Sequence, residues 1–334
     1  MTGLLKVAAL TLAFVSLPAV TAAQEITWKM GHLTPPGSSY LSAVQSVPER
    51  VDKATNGEVN VELFATLFQV REQPQAVRDG RLDMIAGVHP FLSGTAPTLA
   101  ASELPGLFWD IDDYITVIES DVGDHLRDVW SRQFNSHVLA FGAFDRSVIL
   151  SNKKLAKVED FRGLKIRVPS AGAAQLMGAL GARPVQLAFS EIAPALSSGV
   201  VDAVLTDAGT SRGMGFDDIA EYLHVWHSGV FSWAMVINND VWNGLDPELQ
   251  ETITAEFQAL QKDHFDGYKA RNDEIIKSMG DSGMEIIIPP KDEVARMYSD
   301  RNTELIFNSF TSLAKKTGSD GEAVIEMVKK ALNK

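Results

Sequence analysis

The chain has 334 residues, 45% of them hydrophobic, no cysteine, and a formal net charge of −13 at pH 7. That length allows two lobes with cores of their own. The missing cysteine excludes disulfides, Cys-based zinc sites and thiol catalysis, and the acidic balance argues against nucleic acid or an anionic membrane surface as partner.

Residues 1–23 read as a secretory signal peptide: Lys6, an apolar run from Val7 to Leu17, then small residues at Ala19, Thr21, Ala22 and Ala23. The run is short for a membrane span; a retained N-terminal anchor is the alternative. An exported chain without disulfides suits a bacterial periplasm. Ile26–Met30 is expected as the first strand, followed by the turn-rich loop Gly31–Ser39. A helix over Tyr40–Ala54, kinked at Pro48, ends at Asn56-Gly57. Val59, Val61 and Leu63 form a strand, Glu72–Arg78 a helix stopped by Gly80, and Arg81–Ala86 a buried strand. Residues 111–134 are mostly helical, and Val138–Phe141 and Val148–Leu150 read as strands able to cross between lobes.

The stretch Phe161–Ser170 carries the strongest local signal. Leu164, Ile166 and Val168 alternate with Lys165 and Arg167, the period of a half-buried strand. Pro169 ends its ladder and Ser170 can cap a helix over Ala171–Leu180. Arg167 thus falls at a strand's C-terminal end beside a helix start, where open α/β sheets bind ligands. A guanidinium there either grips a carboxylate through two parallel hydrogen bonds or joins a structural ion pair. Pro184–Leu187 and Val200–Leu205 are further strands around a short helix from Ser190 to Ser198. The segment Ala195–Ala203 repeats the order of Ala76–Met84: helix end, Gly, Asp three residues on, apolar strand. Two such units imply an α/β fold of two lobes with a cleft. Met235–Ile237 is another crossover strand.

Asp246-Pro247 starts a helix. If unbroken over 246–279 it is about 50 Å long and lies across both lobes. The expected domains are lobe I over 24–147, with part of 236–280 returning to it, lobe II over 148–235, and a C-terminal strand and helices over 281–334.

No Gly-x-Ser-x-Gly elbow, phosphate loop or His-Glu-x-x-His is present. His224 and His227 have helical spacing for a metal but no third ligand nearby, so neither metal nor cofactor is expected, and no catalytic constellation emerges. Aromatic residues cluster near strand ends: Tyr40, Phe91, Phe144, Phe189, Trp226 and Trp233. Each packs either in a core or along the cleft. An apolar wall with a few convergent charges is the usual form of a small-molecule site.

The runs Asp160-Phe-Arg-Gly-Leu-Lys-Ile-Arg-Val-Pro169, Gly178-Ala-Leu-Gly-Ala-Arg-Pro-Val185, Phe189-Ser-Glu191 and Gly199-Val-Val-Asp202 resemble the solute-binding proteins of tripartite ATP-independent periplasmic (TRAP) transporters, of the dicarboxylate-binding type. Thr55-Asn-Gly57, Gly80–Met84, Leu104-Pro105 and Leu245–Gln250 follow in the same order. The resemblance implies a periplasmic-binding-protein fold of type II kind. It implies a receptor that is no enzyme, needs no cofactor, closes on an organic acid and delivers it to the transporter's membrane subunits. Nothing demands a dimer, and a monomer is expected. Arg167 occupies the position that grips the ligand carboxylate, and Ser170 and Phe189 match positions that line the cleft. Thr206, followed by Asp207, replaces an Asn that often contacts ligand. Arg146 lies near a second family Arg, one residue out of register. Phe91 stands where some sugar-acid binders carry a cation. With Tyr40, His89 and Trp226 these complete the candidate ligand-binding set. The departures shift the expected ligand toward a monocarboxylate with an apolar or aromatic body. Asp207 or Glu191 assisting through a bound cation is a further possibility. The rival readings are a binding protein of another transporter or sensor class, and an enzyme using the same cleft.

Overall fold

The structure, a computed structural model, describes residues 26–104, 106–187, 191–226 and 229–334. The signal peptide expected over 1–23 lies outside them, as do Phe189, Ser190 and His227. Eleven strands occur among the described residues: β1 (Ile26–Gly31), β2 (Val59–Phe64), β3 (Met84–Val88), β4 (Ser136–Ala143), β5 (Ser147–Ser151), β6 (Lys165–Arg167), β7 (Arg183–Val185), β8 (Ala203–Asp207), β9 (Tyr222–His224), β10 (Ser232–Asn238) and β11 (Glu285–Ile287).

They form two sheets, ordered β2-β1-β3-β10-β4 and β11-β9-β5-β8-β6-β7. Each contains one strand that runs against its neighbours: β10 is antiparallel to β3 and β4, and β5 is antiparallel to β8 and β9. β10 is buried along its whole length, which is why it reads as the apolar run Trp233–Ile237 rather than as an alternation. The fold is α/β with two lobes, one sheet in each.

The chain crosses between the sheets at Phe144–Arg146, from β4 to β5, and again before β10. β10 belongs to the first sheet from Ser232, so the return precedes the expected 236. The third crossing is the helical stretch expected over 246–279, which lies across both lobes as expected but is interrupted at Gly267. Helices Pro247–Asp266 and Tyr268–Asp281 meet at Gly267, which caps the first in an ordinary φ of −87°. The first packs on β4 and on the helix Ser39–Ala54; the second packs on β11 and on the helix Ala208–Gly213. The expected helical region 111–134 is likewise two helices, Ile111–Ile118 and Asp121–Phe134, because Ser120 accepts from Val122 N and caps the second. Finally, helix Asp300–Lys316 packs on Ala171–Ala179 in the second lobe and on Pro97–Glu103 in the first. Among the described residues no helix is long and apolar enough to cross a membrane.

Candidate functional site

Strands β1, β3, β4, β6 and β8 all end toward one cavity between the two sheets. The first lobe lines it with Leu33 and Pro35 after β1, Val88, Pro90 and Phe91 at and after the end of β3, Phe144 after β4, and Phe231 before β10. The second contributes Arg167 and Pro169 at the end of β6, and Thr206, Asp207 and Thr210 at the end of β8. The space amounts to about 460 Å³ and opens to solvent. The cavity sits where open α/β sheets place ligands, beyond the carboxyl ends of strands.

Arg167 is the single cation in this lining among the described residues. β6 is held between β7 and β8, which fixes the side chain's origin. The residue is 2% exposed, yet it forms no ion pair with a described residue; Nη1 donates to the Leu205 carbonyl at 3.1 Å and Nε has no partner. Burial pulls its pKa down to about 10, opposed by the charge of Asp207, so the guanidinium stays cationic at neutral pH. A buried cation with unused donors is costly unless an anion joins it.

Asp207 ends β8 and caps the helix Ala208–Gly213, its Oδ1 accepting from Thr210 N at 2.8 Å. Burial, reinforced by the negative charge of Asp145, pushes its carboxyl up to about 7. Asp145 lies in the first crossing. It accepts from Ser39 N at 2.9 Å and from Arg271 Nε at 3.0 Å, tying helix Ser39–Ala54 and helix Tyr268–Asp281 to the hinge.

Of the candidates read from sequence, Arg167, Thr206, Asp207 and Phe91 come together in the cavity. Five others do not line it. The Ser170 hydroxyl is spent as a helix cap, accepting from Ala173 N at 3.1 Å. Tyr40 is buried one layer back. Its hydroxyl donates to Ala86 O and accepts from Leu33 N, and its ring stacks on the cavity residue Phe144 at 4.9 Å. His89 is wholly buried: Trp130 Nε1 donates to its Nε2 at 3.3 Å and its Nδ1 lies 2.8 Å from Ser232 Oγ. Burial pushes its pKa down to about 3, so it is a neutral core group. Trp226 packs edge-on against Phe161 and donates to Leu155 O. Arg146 points elsewhere, pairing with Asp273 at 3.2 Å beside Trp109 and Tyr268. His224 is not on a helix either: it lies in β9, where Leu155 N and Ile149 O occupy both ring nitrogens, and His227 lies outside the described residues.

The sequence reading missed Leu33, Pro35, Val88, Pro90, Pro169, Thr210 and Phe231 as lining. The loop prolines and Thr210, three residues beyond Asp207, carried a local signal as strand-end neighbours; Phe231 reaches the cavity only because β10 runs antiparallel.

Two sheets in separate lobes, a cavity between them lined from both, and a chain that passes repeatedly from one lobe to the other define a two-lobed ligand receptor. The chain belongs to a known family of such receptors: the family model described as bacterial extracellular solute-binding protein, family 7, matches residues 30–307. This agrees with the TRAP solute-binding resemblance, and the family's members are receptors rather than enzymes and bind their solutes without a cofactor. Among similar proteins, the C4-dicarboxylate-binding periplasmic protein DctP of Rhodobacter capsulatus is 27% identical over 316 residues, covering 88% of this chain and 92% of that protein. The sialic acid-binding periplasmic protein SiaP of Vibrio cholerae is 26% identical, covering 84% and 88%. A TRAP periplasmic solute-binding protein from Desulfovibrio salexigens, solved with bound orotic acid, superposes with a TM-score of 0.83 at 21% identity, over 92% of this chain and 98% of that one. A Bordetella pertussis extracytoplasmic solute receptor binding pyroglutamic acid gives 0.80 at 18% identity, over 91% and 99%.

Proposed function

We propose that this chain is a periplasmic receptor that closes on a small monocarboxylate with an apolar body and hands it to the membrane subunits of a TRAP transporter, acting as a monomer. The observation that carries this reading is the buried guanidinium of Arg167, which has unused donors and no carboxylate partner among the described residues. A ligand carboxylate completes it. The rest of the lining favours one carboxylate over two, because a second would meet Phe91, Phe144 and Phe231 or the carboxyl of Asp207. The ligands named for its relatives, sialic acid, orotic acid and pyroglutamic acid among them, support an organic acid as the solute class.

The test is calorimetric titration and thermal shift of the mature protein against aliphatic and aromatic mono- and dicarboxylates. Binding to the native state raises the melting temperature by mass action. A charge-assisted hydrogen bond contributes roughly 1.5–3 kcal/mol. Arg167→Ala is therefore expected to weaken a hit at least ~100-fold while the protein stays folded. Unchanged affinity in that variant removes Arg167 from the site. Tighter binding of a small dicarboxylate than of any monocarboxylate overturns the ligand class.

A further inference from the structure

β6 and β8 are hydrogen-bonded neighbours, with Arg167 opposite Val204. Asp207 is three residues beyond that pair, at the end of the same strand. The two charged residues line one cavity and feel each other's charge, yet they form no ion pair. Both are buried, Asp207 at 4% exposure. The cavity therefore takes a cation and an acid carboxyl from neighbouring strands of one lobe, and the two do not pair with each other.

The groups facing Asp207 from its surroundings make a direct partner scarce. Asp145 approaches from the first crossing and adds like charge. Arg271, on helix Tyr268–Asp281, gives its Nε to Asp145 and none of its donors to Asp207, its Nη2 being unpartnered among the described residues, and Tyr268 beside it has its phenol pushed up by burial. Arg146 pairs with Asp273. The loop Leu33–Ser38 across the cavity carries no titratable side chain. One Asp207 oxygen is held by Thr210 N at 2.8 Å.

Resting on the carboxylate reading above, we propose that Asp207 is the specificity-determining residue of this cavity, and that it selects acids bearing an N–H or O–H donor on the atom next to the carboxylate. With the carboxylate on Arg167, a donor on the adjacent atom reaches Asp207. An acid lacking it leaves that buried carboxyl unmatched. Sites built around a hydrogen bond reject analogues that lack the bonding group.

The experiment is isothermal titration of the mature protein with two matched series: valine, 2-hydroxy-3-methylbutanoate and 3-methylbutanoate; and phenylalanine, 3-phenyllactate and 3-phenylpropionate. A donor-bearing acid of one series is expected to bind at least ~10-fold more tightly than its unsubstituted counterpart. Asp207→Asn tests the residue itself. Its side-chain oxygen can keep the Thr210 cap, since Asn caps as well as Asp, and this turns a donor amide toward the ligand. The preference should vanish or invert in that variant. An unsubstituted acid binding as tightly as its donor-bearing partner in the unmutated protein overturns the proposal without any variant, as does a preference that survives in folded Asp207→Asn. Arg167→Ala, run in parallel, separates the two readings. Acids that bind through Arg167 without donor preference sink only the role of Asp207, whereas acids that all fail, or bind independently of Arg167, sink both.

Discussion

Arg167 shows how a residue's role follows from what it lacks. Its backbone is fixed in a three-strand ladder and its head is buried, but among the described residues the fold supplies it one carbonyl and no ion-pair partner. Asp207 has the opposite problem, since burial and Asp145 hold its proton on to about pH 7 against an ordinary value of 3.8. The unfolded chain releases that proton near 3.8. Between the two values the folded state binds one proton more, so this group's contribution makes stability fall as pH rises through that window, with the full penalty above it. Urea unfolding of the ligand-free protein at pH 5 and pH 8 should show a larger loss of stability in the unmutated chain than in Asp207→Asn. Superimposable profiles would count against the buried carboxyl. Arg167 was legible from its place at the end of an alternating strand, and Thr206 and Asp207 from the family resemblance, as a departure from its run. Tyr40, His89 and Trp226 were legible only as aromatic and polar residues near strand ends; whether a ring faces the cavity or the layer behind it depends on packing that no local pattern encodes.

At the scale of elements, periodicity and caps predicted most strands and helix starts, and the errors have identifiable causes. The strand expected from Val200 begins at Ala203, because Val200 sits exposed in the turn after Gly199. β9, Tyr222–His224, escaped notice because His224 was read by its spacing from His227, as on a helical face. The interruption at Gly267 was legible as the first breaker in the pattern, but a glycine inside a helical pattern is tolerated at modest cost, and only the packing of the two halves on different sheets shows that it coincides with the passage between lobes. Ser170 was legible as a helix cap, and the structure agrees. Ser170→Ala should cost about 1 kcal/mol of stability, seen in chemical denaturation, and change ligand affinity less than ~10-fold. A collapse of affinity at unchanged stability would instead make Ser170 a ligand contact.

At the scale of the molecule, the lobes touch beside the cavity through backbone. Gly37, in the loop after β1, lies against Gly209 and Gly213 of the helix after β8, and a methyl group on Gly213 would stand 2.1 Å from the Pro36 carbonyl oxygen. The two lobes were readable from the repeated helix–Gly–strand order, but this contact joins segments far apart in sequence and was not. If ligand binding draws the lobes together at the crossings, Gly213→Ala should hold them apart. Apparent affinity falls as the closed fraction shrinks, so a loss of ~10-fold or more is expected, with the melting temperature of the ligand-free protein little changed. Normal affinity, with small-angle scattering showing the usual contraction on ligand addition, would exclude the contact from closure.

At the Gly37–Gly213 contact this seam is glycine facing carbonyl, and the Asp145 carboxyl beside Gly209 is already held by Ser39 N and Arg271, so mobile ions find little there to screen. The Arg167 guanidinium is shut away from the same ions by its burial. Both the latch and the grip would then be indifferent to ionic strength, so a receptor exposed to a changing outside medium would report solute concentration rather than salinity.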